Sequence, residues 1–254
     1  YVTHSSYLAQ SARDLYYAQG FEHGGQEAVF LSYREFIESI HVPPGREASW
    51  RDFAGWFGRF RQTFREFDAH QVFEEIRGVL TAGSGGVLTR DAYLALGVRQ
   101  SIFPADQRDQ LYDLFEKYRH WLVEAKLYDL NLVAQDWQPL AAPRYDFVVI
   151  DEVQDITTVQ LALVLKTLRK PGHFLLCGDS NQIVHPNFFA WSQVKSLFWK
   201  DPKLAERQEL HVLTANFRNG LEATRVANQL LKIKHKRFGS IDRESNFLVQ
   251  AVGS

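Results

Sequence analysis

The chain is 254 residues long and 45% hydrophobic, enough to bury one large or two modest cores. Lys and Arg total 29 against 30 Asp and Glu, a formal charge of −1, so no global positive field marks a nucleic-acid binder and any such surface must be local. One cysteine, Cys177, excludes an internal disulfide, and no stretch approaches the roughly 18 apolar residues of a membrane span. The polar opening Tyr1-Val2-Thr3-His4-Ser5-Ser6 lacks a signal-peptide layout, and a cytoplasmic protein is expected. The chain starts without methionine, which reads as truncation.

In chain order, Tyr1-Val2-Thr3 reads as the tail of a strand, and Leu8, Ala12 and Leu15 form a helical stripe closed by Gly20. The zone from Phe21 to Ala142 reads as mostly helical. Ser32 with Glu35 makes a capping box ahead of Phe36, Ile37 and Ile40. Val42-Pro43-Pro44-Gly45 is a break and Gly83-Ser84-Gly85-Gly86 a loop. Pro104 is expected to open a helix with Leu111, Leu114, Phe115, Tyr118 and Leu122 on one face.

The last zone alternates short apolar runs with helical patterns, the signature of parallel strands covered on both faces. Phe147-Val148-Val149-Ile150 leads into Asp151-Glu152, Phe174-Leu175-Leu176-Cys177 leads into Gly178-Asp179, and Leu210 to Leu213 leads into Thr214-Ala215-Asn216-Phe217-Arg218. A helix is expected from Leu221 to Ile233. Polar groups thus gather at the carboxyl ends of strands, where open α/β sheets bind ligands.

Three constellations stand out there. In Asp151-Glu152-Val153-Gln154-Asp155, one carboxylate can hold Mg²⁺ and the other can orient or deprotonate a water, or both can be solvated acids capping the next helix. Gly178-Asp179-Ser180-Asn181-Gln182 offers Asp179 to a metal network and the Gln182 amide to a phosphate, or is simply a turn rich in turn formers. In Asn216-Phe217-Arg218, Arg218 is suited to the charge of a transferring phosphoryl, or is a surface arginine.

Taken together and in this order, these motifs resemble motifs II, III and IV of the superfamily 1 DNA helicases of the UvrD/Rep/PcrA type, and Thr3-His4-Ser5 resembles their motif Ia. The resemblance implies an α/β fold: a RecA-like parallel-sheet P-loop NTPase motor domain with a helical insertion. Residues 1–20 and 143–208 would belong to the first motor domain, 21–142 to the insertion, and 209–254 to the start of a second motor domain. It further implies ATP and Mg²⁺ as cofactors and single-stranded or duplex DNA as partner, acting as a monomer. Asp151 would coordinate Mg²⁺, Glu152 would be the catalytic base, and Gln182 would couple the γ-phosphate to DNA. Arg218 would contact the γ-phosphate, Gln154, Asp155 and Asp179 would complete the nucleotide network, and Thr3 and Ser5 would touch the strand.

Two departures qualify the resemblance. After Gln182 the aromatic-Arg-Gly-Ala segment of that family is replaced by Ile183-Val184-His185-Pro186-Asn187-Phe188-Phe189-Ala190-Trp191, where His185, Phe188, Phe189 and Trp191 can stack on bases or pack in a core. No Gly-x-x-x-x-Gly-Lys-[Ser/Thr] loop occurs, so this stretch alone is expected neither to hydrolyse ATP nor to unwind DNA. The alternative to a helicase fragment is a non-catalytic nucleic-acid-binding or scaffold relative; a third possibility is another P-loop ATPase. Two basic clusters remain. Lys232-Ile233-Lys234-His235-Lys236-Arg237 closes the last helix, and Arg59, Arg61 and Arg65 interleave with Trp56, Phe57, Phe60, Phe64 and Phe67. Each can contact phosphates or be an ordinary solvated face.

Overall fold

A computed structural model of the chain describes residues 1–98, 100–182, 194, 211–213, 215–239 and 248–251. The strands are β1 (Val2–Thr3), β2 (Leu31–Ser32), β3 (Arg46–Glu47), β4 (Leu127–Tyr128), β5 (Val148–Ile150), β6 (Phe174–Leu176), β7 (Ala215–Asn216) and β8 (Gln250–Ala251). The α-helices are α1 (Ser6–Ala18), α2 (Tyr33–Ile40), α3 (Trp50–Phe57), α4 (Ala69–Glu75), α5 (Arg90–Leu94), α6 (Arg108–Glu124), α7 (Leu130–Asp136), α8 (Thr158–Lys166) and α9 (Leu221–Phe238). The architecture is α/β.

Four strands make one parallel sheet in the order β2-β1-β5-β6. Val2 lies opposite Leu31 on one side and Ile150 on the other, and Val148 to Ile150 run opposite Phe174 to Leu176. Parallel neighbours need crossover connections; α1 supplies one between β1 and β2, and α8 another between β5 and β6. Helix α8 is apolar all round, with Val159, Leu161, Leu163 and Val164 buried, as befits a helix enclosed by its neighbours. It shares a core with Val2, Val148 and Ile150, with Phe36 and Ile37 of α2, and with Val133 and Ala134 of α7.

A second core lies wholly between Ala48 and Leu122 and is dominated by aromatic rings. Phe53 sits at its centre, within 4.9 to 5.9 Å of the rings of Trp50, Trp56, Phe57, Phe73 and Tyr118. Two buried polar groups are fully engaged inside it. Glu75 accepts from the Tyr93 hydroxyl, the Ser101 hydroxyl and the Ile102 N–H. The Arg108 guanidinium donates to the carbonyls of Phe103, Leu96 and Gly97, so it orders the loop ahead of α6 without an ion-pair partner among the described residues.

Packing therefore places the insert within about residues 48–122 rather than 21–142, because β2, α2 and α7 belong to the sheet's own core. The insert is entered through β3 and left through β4, and these two connections pair in parallel, Arg46 opposite Leu127 and Glu47 opposite Tyr128. Gly45, at φ 93°, makes this possible, since a Cβ there would lie 2.0 Å from the Lys126 carbonyl oxygen.

Three local expectations are corrected. The stripe on α1 is a helix over the expected span, but Leu8 and Leu15 are exposed and only Ala9 is buried. Pro104 precedes a turn, and α6 begins at Arg108, although its expected apolar face is buried as read. Residues 211–213 are not a strand; the strand is Ala215–Asn216, inside the polar motif, pairing with β8 in a separate two-stranded sheet. The capping box of Ser32 and Glu35 is present at α2 as expected.

A buried side chain, Asn131, links the sheet to the insert. Asn131 Nδ2 donates to the Arg77 carbonyl at 2.8 Å and to the Thr81 hydroxyl at 3.0 Å, on the insert side. Its Oδ1 accepts from the Thr157 hydroxyl at 2.7 Å and Gln160 Nε2 at 2.8 Å, in the capping box of α8. The Val159 N–H adds a bond to the Ala82 carbonyl at 2.8 Å. Asn131→Ala removes one hydrogen bond from each of four groups at this junction, so a loss of about 3 kcal/mol is expected in denaturant unfolding; Asn131→Asp, which keeps the acceptor but loses the donor, should fall between the unsubstituted chain and the alanine variant.

Candidate functional site

The acidic strand ends are built by the register of the sheet. Asp151 follows β5 and donates its N–H to the Val2 carbonyl at 3.0 Å, while the Cys177 N–H reaches the Ile150 carbonyl at 2.8 Å and the Val153 N–H reaches the Cys177 carbonyl at 2.9 Å. The chain turns sharply at Glu152, whose φ of 52° is in the left-handed region, a conformation that costs a non-glycine residue about 1–3 kcal/mol. That turn sends the Asp151 and Glu152 side chains in different directions.

Each then finds a partner within the fold. Asp151 Oδ2 accepts from the Tyr1 hydroxyl at 2.7 Å, and Oδ1 accepts from the Glu152 N–H at 3.0 Å. Glu152 accepts from the amide of Gln154, which is buried. The other end of that amide accepts from the Asp179 N–H at 3.1 Å, tying the end of β5 to the end of β6. Asp179 accepts in turn from the Asn181 N–H at 2.8 Å and from Gln182 Nε2 at 3.0 Å. A Cβ on Gly178 would meet Gln154 Oε1 at 2.6 Å and Val153 Cγ1 at 2.8 Å, so glycine is required where the two strand ends close on one another.

Asp151, Glu152, Gln154, Asp179 and Gln182 are therefore brought together, Gln154 buried and the others reachable from solvent. Asp155 is exposed beside them. Arg218 is exposed in the β7 segment, where the Asn216 side chain accepts from the N–H groups of Arg218 and Asn219 at 2.9 and 3.1 Å. Among the described residues its guanidinium makes no hydrogen bond or ion pair. Thr3 is fully buried and cannot touch a strand of nucleic acid, and Ser5 is the N-cap of α1, accepting from the Leu8 N–H. His185, Phe188, Phe189 and Trp191 lie outside the described residues. Of the basic clusters, His235, Lys236 and Arg237 fall in the last turn of α9, where cations are favoured in any case.

Two members of the site were not singled out from the sequence. Tyr1 becomes a partner of Asp151 only because β1 and β5 are neighbours. Burial, aided by the Asp151 hydrogen bond, raises its phenol well above the usual range. Cys177 has its thiol pushed up by burial and by the nearby Asp151 carboxylate.

No protein-family model matches the chain. It is similar to TPR and ankyrin repeat-containing protein 1 of Homo sapiens, 26% identical over 150 residues, covering 53% of this chain and 5% of that protein. These comparisons overturn the resemblance to the UvrD/Rep/PcrA helicases: no helicase family is found, and the relative is named for TPR and ankyrin repeats. The reading as part of an ATP-driven DNA helicase is withdrawn with it. The physical reason is that its motifs are made of residues any α/β sheet places at strand ends, where Gly, Asp, Ser and Asn form turns and acids cap the succeeding helix.

Three outcomes test this geometry. Gly178→Ala should lower stability by about 1–3 kcal/mol through overpacking against Val153 and Gln154, read as a shift in the denaturant midpoint at unchanged slope. Cys177 should react more slowly with a thiol reagent near neutral pH than a free thiol does, because less of it is thiolate. Asp151→Asn removes the neighbouring charge and should speed that labelling; an unchanged rate would detach Cys177 from Asp151.

Proposed function

We propose that the chain is a non-catalytic scaffold module, an α/β frame with a helical insert that presents its surfaces to partner proteins. The observation that carries this reading is that the strand-end polar groups serve the fold. Tyr1 holds Asp151, and Gln154 ties Glu152 to the backbone of Asp179, which holds Gln182. The relative's name supports the same reading, since stacked TPR and ankyrin repeats form extended concave binding surfaces. The described part of this chain is built differently, around a parallel sheet, and the proposal assigns it the role of contact, not that architecture. A RecA-like frame without its phosphate loop is the fold class we adopt for it.

A second reading rests on a different observation. Asp151 and Asp179 stand at the carboxyl ends of adjacent parallel strands, the edge where open α/β sheets take ligands. Among the described residues no three His, Cys, Asp or Glu side chains converge as a metal site. The set suits Mg²⁺ that keeps most of its waters, with Asp151 and Asp179 as protein ligands and ATP supplying phosphate oxygens as a bound ligand.

Calorimetric titration with Mg-ATP, alongside thermal melts of Asp151→Asn and Asp179→Asn, separates the two readings. The scaffold reading expects no binding heat and a lower Tm for both variants, equivalent to about 1 kcal/mol each for the lost hydrogen bonds. Saturable Mg-ATP binding that both variants abolish while gaining Tm would replace it with the nucleotide reading, because groups held for a ligand are held at a cost to stability.

A further inference from the structure

The insert carries a second constellation away from the strand ends. A cavity of about 380 Å³ opens on the surface beside α3, floored by Gly55 and walled by Trp56 and Trp121. The two indole rings stack, with centroids 5.2 Å apart and planes at 22°, so the wall is flat and rigid. Nothing lies within 4 Å of where a Gly55 Cβ would stand; the glycine leaves open space where a side chain would otherwise project.

Three arginines line the cavity, in two different states. Arg46 is held by Asp52 through two hydrogen bonds of 2.6 Å, and Asp52 also accepts from Ser49 at the start of α3. These bonds keep the Asp52 carboxyl well below the ordinary range, so it stays ionised and Arg46 stays neutralised. Arg51 and Arg59 are exposed, and among the described residues neither makes an ion pair or side-chain hydrogen bond. Arg51 and Gly55 stand four residues apart on one face of α3, which ends at Phe57, and Arg59 lies in the 3-10 turn Gly58–Phe60 that continues it. At about 1.5 Å per residue in the α-helix and about 2.0 Å in the 3-10 turn, the backbones of Arg51 and Arg59 are roughly 13 Å apart along the helical path.

We infer that this cavity is a docking site for an extended acidic peptide segment of a partner protein, carrying acidic–x–aliphatic–x–acidic residues. In an extended strand, residues i, i+2 and i+4 point to one side, and i to i+4 spans about 13 Å, which matches the Arg51–Arg59 separation. The two carboxylates pair with the two arginines, whose forked geometry suits carboxylate. The aliphatic side chain enters between them, over Gly55 and against the Trp wall. Asp52 is neutralised by Arg46, so Arg51 and Arg59 are left as two separate positive charges, which complement a peptide carrying two separate carboxylates rather than a continuous line of phosphates. The inference deepens the scaffold reading and rests on it; the Mg-ATP titration tests that reading without touching this cavity, so either can fail alone.

Fluorescence polarisation of the whole chain with a labelled Glu-Ala-Leu-Ala-Glu peptide tests it, beside the shifted peptide Ala-Glu-Leu-Glu-Ala and a labelled 20-nucleotide poly-dT. The expected result is saturable binding of the first peptide and at least tenfold weaker binding of the shifted one. Arg51→Glu and Arg59→Glu should each weaken binding about tenfold. Gly55→Leu fills the cavity at a position with free space and improves helix propensity, so it should abolish binding without lowering Tm. Equal affinity for both peptides, indifference to all three variants, binding of poly-dT alone, or no binding at all would each overturn the inference.

Discussion

The fold depends on a single constraint at its junction: a buried amide, Asn131, that satisfies donors and acceptors on both sides at once. A planar amide offers two donors and two acceptor lone pairs, and here two bonds leave from each end. Removing it from water is tolerable only because all four partners are in place, and the same arithmetic fixes how α8 meets the insert. The neighbouring Asp129 adds to this. It caps α7 through the N–H groups of Asn131 and Leu132 and accepts from the Tyr118 hydroxyl of α6 at 3.0 Å. The Tyr118 phenol, buried and beside that carboxylate, is held well above its usual range and stays a donor. One turn of α7 thereby positions both cores.

The strand-end acids depend on that frame. Because β5 lies between β1 and β6, the residues leaving its carboxyl end meet Tyr1 from one neighbour and Gly178-Asp179 from the other. Glu152 accepts a left-handed backbone so that Val153 can rejoin the ladder at Cys177. The strain sits where two strand ends must be brought together, and the bonds around Gln154 offset it. A polar cluster of this kind is compatible with structure alone, which is why motif order by itself led toward a helicase and the comparisons with known proteins led away from it.

The insert obeys a different rule. Its core is aromatic; Arg108 is sunk among carbonyls, Arg90 is held by Asp109 and Asp113 over the Tyr112 ring, and Arg46 on the entry strand is clamped by Asp52. Arg51 and Arg59 line a cavity with no ion-pair or side-chain hydrogen-bond partner among the described residues.

The sequence by itself determined much of the local structure. The capping box at Ser32, the buried face of α6, the two acid-ended strands and the long last helix were all legible, because each is set by residues within a few positions of one another. Local periodicity also misled where burial is decided elsewhere, since Leu8 and Leu15 share a helical face that no described element covers. Tertiary structure alone decided that Tyr1 meets Asp151 across 150 positions, that β2 belongs to the sheet and not to the insert, that Thr3 is sealed from any ligand, and that Asn131 is the junction. Those facts depend on strand order and register, which bring distant residues together without leaving a period, a spacing or a composition to read along the chain.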